Sequence, residues 1–212
     1  MGVFATLSAL VMPHILKSLS QAHPELQVTH VEGNLRDVES ALRSGDVDIA
    51  LTYDAFIPND LEVTRLFHVP PHAILAESDP LAQSQSVTVH DLAERPLILL
   101  DMPDSAQYII GLITRAGYQP QVRFRTTSTE LIRSTVAMGL GVSVAHVRPA
   151  SDEVYSGDRI VCRPLLTEND GRLAQIAVVN RKGYPLGARA MAFLEHSKRF
   201  ANSPAVEKLV VV

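Results

Sequence analysis

The chain has 212 residues, enough for one large domain or two small lobes at the usual ~150 residues per domain. Hydrophobic residues make up 46% and charged residues 20%, ordinary globular proportions that exclude a disordered tail, a collagen-like fibre and a coiled coil. Lysine plus arginine total 19 against 23 acidic residues, a net charge of -4, and no stretch gathers the basic residues into the patch that binding a phosphate backbone requires.

Taken in chain order, a strand followed by a helix recurs. Val3 to Ala5 is a short apolar piece, and Val11, Ile15, Leu19 and Ala22 then share one helical face that closes at His23-Pro24. Residues 26 to 31 alternate as a strand before Gly33-Asn34 breaks the chain. Leu35, Val38 and Leu42 predict a helix ending at Gly45, and VDIAL at 47 to 51 is a buried-strand run. Two more strands are expected at Leu61 to Phe67 and His72 to Glu77. The pattern restarts with a strand at Leu97 to Asp101, a helix opened by Pro103-Asp104-Ser105, and a strand at Gln121 to Arg125. Thr127-x-x-Glu130 has the form of a capping box, opening a helix that Gly139 and Gly141 end before the strand VSVA. Strands at Arg159 to Arg163 and Ala174 to Asn180 precede a last helix carrying Leu186, Ala190, Phe193, Leu194 and Ser197.

Alternating strands and helices imply mostly parallel sheets with helices on both faces, and two such runs imply two α/β lobes. Ligands of open α/β sheets sit beyond the carboxyl ends of the strands. Here those positions hold Thr6, Ser8, Thr52, Tyr53, Asp101, Ser105, Thr127, Ser128 and His146. Hydroxyls beside helix N–H groups suit a small anion, usually a carboxylate. The bland alternative for any single serine or threonine is a helix cap, worth about 1 kcal/mol.

Other motifs carry plainer readings. Ser143 in Gly141-Val142-Ser143-Val144-Ala145 resembles a nucleophile elbow, but a helix precedes it and valines flank it, so a strand residue is expected and catalytic residues are not. Gly139-Leu140-Gly141 follows a helix instead of a strand and reads as a helix stop, not a dinucleotide fingerprint. His68 and His72 have the spacing of a helical zinc pair, yet Pro70 and Pro71 forbid that helix; no metal and no cofactor are expected. Arg123 and Arg125 share a strand face, a solvated rim or a cleft or dimer contact. The single cysteine, Cys162, excludes an internal disulfide, reads as a small buried hydrophobe, and suits a reducing, cytoplasmic setting. The first twenty residues lack a basic n-region and do not read as a signal peptide, and no apolar run is long enough for a membrane span.

The stretch Pro24-x-Leu26-x-Val28, Glu32-Gly33, Leu35 to Leu42 and Ser44-Gly45-Asp46-Val47-Asp48-Ile49-Ala50-Leu51 resembles the first lobe of the effector-binding domain of LysR-type transcriptional regulators. Asp79-Pro80-Leu81-Ala82, Val87-x-Val89-x-Asp91-Leu92 and Pro96-Leu97-Ile98-Leu99 resemble that family's entry into the second lobe, and Val136-Ala137-Met138-Gly139-Leu140-Gly141-Val142-Ser143 is similar to its glycine-bearing helix exit. The resemblance covers essentially the whole chain. It implies a periplasmic-binding-protein-like fold (type 2), two α/β lobes joined by two crossover strands, with 1–74 plus 176–212 as the first lobe and 75–175 as the second. The crossovers would lie near His72 to Glu77 and Gly171 to Ala177. It implies a small-molecule effector, of carboxylate character, held in the inter-lobe cleft by the hydroxyl-bearing positions named above, and a homodimer or tetramer.

The family carries a winged helix-turn-helix ahead of the first strand, whereas this sequence starts nearly at that strand, so DNA binding is expected only through a part of a longer regulator absent from this segment. Many members follow the glycine-bearing exit with leucine and proline; here Ala145-His146-Val147-Arg148-Pro149 follows, and His146 is expected to alter ligand preference or protonation behaviour. The competing expectations are a solute-binding protein of a transport system, an esterase using Ser143, and an unliganded oligomerisation domain.

Overall fold

The computed structural model describes residues 1–55, 57–167 and 174–212, and the chain divides into two units, 1–69 with 174–209 and 70–173 with 210–212. The elements begin with β1 (Gly2–Phe4), α1 (Ala5–Ser8), α2 (Met12–Ala22), β2 (Val31–Gly33), α3 (Leu35–Ser44), β3 (Ile49–Tyr53), β4 (Leu61–His68) and β5 (His72–Ala76). They continue with β6 (Val87–Thr88), α4 (Val89–Ala93), β7 (Pro96–Leu100), α5 (Pro103–Arg115), β8 (Gln121–Thr126), α6 (Thr129–Ala137) and β9 (Ser143–Ala145). The last are β10 (Ile160–Leu166), β11 (Gln175–Arg181) and α7 (Ala188–Ala201). The first segment expected to cross, His72 to Glu77, includes β5, which lies within unit 2, and part of the second, residues 171–173, lies outside the described residues.

Unit 1 is built on a sheet of order β2-β1-β3-β11-β4. Strand β1 runs parallel to β2 and β3, while β11 runs antiparallel to β3 and β4. Its core gathers Val38, Ala41 and Leu42 of α3 against Ala50, Ala177 and Val179. Helix α3 forms where its caps dictate: Asn34 Oδ1 accepts from the N–H groups of Arg36 and Asp37, Asp37 returns the bond to the Asn34 N–H, and Gly45 closes the helix at φ 83°.

Unit 2 has a sheet of order β6-β10-β5-β9 and a parallel pair β7-β8. Backbone bonds from Ile98 to Val142 (2.8 Å) and from Val142 to Pro96 (2.9 Å) tie the two together. Period-two alternation sorts its strands onto two cores. Ala73, Leu75, Leu97 and Leu99 face one, with Ile109 and Leu112 of α5; Ile74, Ile98 and Leu100 face the other, with Ile132 and Val136 of α6.

Several expectations are corrected. The sheets are not mostly parallel: β11 and β5 each run antiparallel to both of their partners. Strands β5 and β11 are each the first strand after the chain passes between the units, beyond residues 69 and 173, so neither is reached by the single helical crossover from a neighbour that makes a parallel pair. The strand read over 26 to 31 pairs only at Val31–Gly33, because β1 offers just three residues to pair with. Leu26 and Val28 instead line a groove of about 360 Å³ along α2 with Leu16 and Leu19. Ala22 is exposed, so the buried face of α2 stops at Leu19. Leu186 precedes α7. Ser128, not Thr127, caps α6, its Oγ accepting from Leu131 N–H at 3.2 Å. Glu130 instead pairs with Arg133 and accepts the Tyr155 N–H.

Candidate functional site

In unit 1 the carboxyl ends of β1 and β3 lie side by side because the strands are parallel and in register, Gly2 with Ala50 and Val3 with Leu51. Beyond them, Thr6 Oγ1 and the Tyr53 hydroxyl lie 3.2 Å apart, and the Tyr53 ring meets Phe4 edge-on at 5.3 Å. Burial pushes the Tyr53 hydroxyl up to about 12, so it remains protonated at neutral pH. Thr52 is 1% exposed, and its Oγ1 has no hydrogen-bond partner among the described residues. Ser8 ends α1, half-buried. The next carboxylate, Asp54, is engaged structurally, accepting from Gln175 N–H at 3.0 Å and Arg65 Nε at 2.9 Å.

Unit 2 repeats the arrangement. Leu100 on β7 is in register with Thr126 on β8, and Asp101 N–H donates to the Thr126 carbonyl at 2.9 Å. Asp101 is exposed, with Arg125 Nη1 at 3.3 Å; Thr127 and Ser128 are exposed at the start of α6. Ser105 lies half-buried in the first turn of α5, and Tyr108, three residues on, shares its helical face. His146 follows β9, its ring 5.0 Å from that of Tyr108. Each unit therefore gathers its own share of the expected residues at strand carboxyl ends: Thr6, Ser8, Thr52 and Tyr53 in unit 1; Asp101, Ser105, Thr127, Ser128 and His146 in unit 2.

Three polar groups of unit 2 escaped the sequence reading. Tyr108 sits in an apolar helical stretch and signals nothing by pattern. Arg148 donates from Nη2 to Asp152 at 2.6 Å and from Nε to the Pro149 carbonyl. His72 is 0% exposed, and neither ring nitrogen has a partner among the described residues. Burial above all, with the charges of His146 and Arg148 adding to it, pulls His72 down to about 3. The one sequence signal was its spacing from His68, which pointed to a metal pair; His68 is exposed at the end of β4 and His72 is buried on β5. Among the described residues, no group of three histidine, cysteine, aspartate or glutamate side chains is placed to hold a metal ion.

Ser143 is 1% exposed and its Oγ donates to the Ile98 carbonyl at 2.7 Å, a strand contact and not a nucleophile poised for attack. Cys162 is buried, and burial pushes its thiol up to about 11, opposite to the lowered value that makes a cysteine reactive. Among the described residues no helix is long and apolar enough to cross a membrane. What the strand ends offer chemically is hydrogen bonding: hydroxyls, exposed helix N–H groups and an imidazole, matched to an oxyanion.

Residues 1–202 match the family model described as the LysR substrate binding domain. The DNA-binding transcriptional dual regulator OxyR of Escherichia coli is 29% identical over 197 residues, which cover 89% of this chain and 61% of that protein. The chain spans between half and two-thirds of the length of the first curated relatives it matches, 52% and 61%. The C-terminal domain of a probable LysR family regulator from Rhodococcus sp. RHA1 superposes with a TM-score of 0.86 at 28% identity, covering 95% of this chain and 97% of that one. The BenM effector-binding domain, solved with its effector benzoate, superposes with a TM-score of 0.79 at 20% identity, covering 93% and 89% of the two chains.

Proposed function

Because this chain belongs to the LysR substrate-binding domain family, we propose that it is the effector-sensing part of a cytoplasmic transcriptional regulator, governed by a small carboxylate-bearing metabolite at the hydroxyl-bearing strand ends. Fold and family are those of regulators and not of enzymes. The full-length protein binds DNA through a part outside this segment, acts as a homodimer or tetramer, and reads the effector as a difference in affinity between two conformations.

The observation that carries the site assignment is Thr52. A buried hydroxyl without a partner costs about 1–3 kcal/mol, and here it lies at the carboxyl end of β3, one residue before Tyr53. A ligand oxygen arriving there recovers that cost, a recovery unavailable to a hydroxyl serving only as a cap. Benzoate, the effector of BenM, supports the carboxylate class.

The test is a thermal-shift screen of small carboxylates, benzoate among them, on the chain and on Thr52→Val. A ligand at 100 times its Kd adds about 2.7 kcal/mol. The valine variant is expected to be as stable as the parent or more so without ligand, and to lose most of the ligand-induced shift. A bulky replacement of Thr127 is expected to lose it as well. Full shifts in both variants would remove the assignment.

A further inference from the structure

We propose that residues 210–212 form a releasable strap: Val211, seated in the core of unit 2 two residues after Leu209 is buried in unit 1, adds a third tie to the two chain passages that join the units. The inference goes beyond the effector reading and does not depend on it.

The chain passes between the units after residues 69 and 173, and a third time after Leu209. Units that each hold a core of their own, joined by two chain passages, are free by default to move against each other. The third passage changes that. Residues 210–212 lie in no helix or strand, so no backbone ladder fixes them. Their side chains are nevertheless sorted: Val212 is 97% exposed, Val210 is half-buried and Val211 is 8% exposed. Val211 shares its apolar cluster with Ile74 on β5, Ile98 and Leu100 on β7, and Ile132 and Val136 on α6. On the other side of the passage, Leu209 is 4% exposed at the end of the turn Pro204–Lys208, which packs on α7 in unit 1. Two buried anchors are therefore two residues apart in the chain, and two residues span at most about 7 Å when fully extended. Any rearrangement of the units that asks for more pulls Val211 from its seat or Leu209 from its own. One buried valine favours the seated state by roughly ten- to a hundredfold, enough to hold the strap and little enough to let it go. The seat lies against α6, the helix that Ser128 caps, so release loosens this helix as well as the units.

The test compares three changes with the parent. Val211→Asp empties the seat, a Gly-Ser-Gly-Ser insertion after Leu209 keeps the seat but slackens the strap, and Val212→Asp is the control at an exposed position. Spin labels on Arg36→Cys of α3 and Gln107→Cys of α5, both exposed, read the distance between the units by double electron–electron resonance. Every labelled chain carries Cys162→Ala and is diluted with unlabelled chain. Hydrogen exchange followed by mass spectrometry reads α6. The insertion and Val211→Asp should each roughly double the width of the distance distribution. Only Val211→Asp should speed exchange in α6, by about tenfold, the change that freeing one buried valine allows. Val212→Asp should match the parent in both. A distance distribution that the insertion leaves unchanged reduces Val211 to core filling and overturns the strap. Exchange in α6 that Val211→Asp leaves unchanged overturns the seat, and so does a Val212→Asp chain altered as much as Val211→Asp. Should Val211→Asp fail to fold, the insertion and its distance distribution decide alone.

Discussion

Acidification in a chloride buffer will destabilise unit 2 through His72. In the unfolded chain this imidazole titrates near 6.5, and in the folded chain near 3. Below pH 6.5 the unfolded state therefore takes up a proton that the folded state refuses, and stability falls as pH falls, continuing to about pH 3. Each unit is worth about 1.36 kcal/mol, so at pH 5, 1.5 units below the unfolded value of 6.5, His72 costs about 2 kcal/mol. For a chain of this size that is about 4–8 °C in Tm. The assay compares the parent with His72→Leu by urea denaturation at pH 7.5 and pH 5. At pH 7.5 the variant should be as stable as the parent or more so, because the leucine gives up no hydrogen bond and buries no unpartnered nitrogen. Between pH 7.5 and pH 5 the variant should gain about 2 kcal/mol on the parent. Carboxylates that titrate over the same range do so in both proteins and cancel. Parallel stability curves would show that His72 finds a partner or water in the folded state and would refute the reasoning.

Arg133→Met removes a side chain only 9% exposed that bonds Glu130 and the carbonyls of Ser151 and Glu153; denaturation should show a loss of about 2–4 kcal/mol. Gly141→Ala would place a Cβ 2.4 Å from the Pro96 carbonyl oxygen, and pushing β9 off β7 should cost about 1–3 kcal/mol, read as a lowered Tm. Asn34→Ala removes the acceptor for two N–H groups at the start of α3 and should cost about 1 kcal/mol by the same measurement. The Cys162 thiol, buried and raised to about 11, should react with a thiol reagent at neutral pH only as the protein unfolds; rapid labelling of the native chain would contradict its burial.

The sequence alone determined most of the longer elements and the family. Apolar residues three and four apart marked α2, α3 and α6, short apolar runs marked β3, β7 and β9, and glycine with a positive φ ended α3 at Gly45. These are local signals, set by a few neighbouring residues and by the two periods of helix and strand. The candidate residues were located by the same local signals, since they lie in the last residues of β3 or within a few residues of the ends of β1, β7, β8 and β9. Only the tertiary structure decided the rest. Strand direction in β5, β10 and β11 depends on partners far along the chain, as in the pairing of Ile74 with Cys162. The capping role of Ser128 over Thr127 turned on where the helix begins, since Ser128 is still extended and Thr129 is the first helical residue. Whether a polar side chain is satisfied is also a matter of what packs around it. Thr52 and His72 drew notice in the sequence only by position and spacing, and only the assembled sheets close off their hydroxyl and imidazole without a partner. Burial is a property of the whole packed unit, because water is excluded by residues remote in sequence, and no local pattern encodes it.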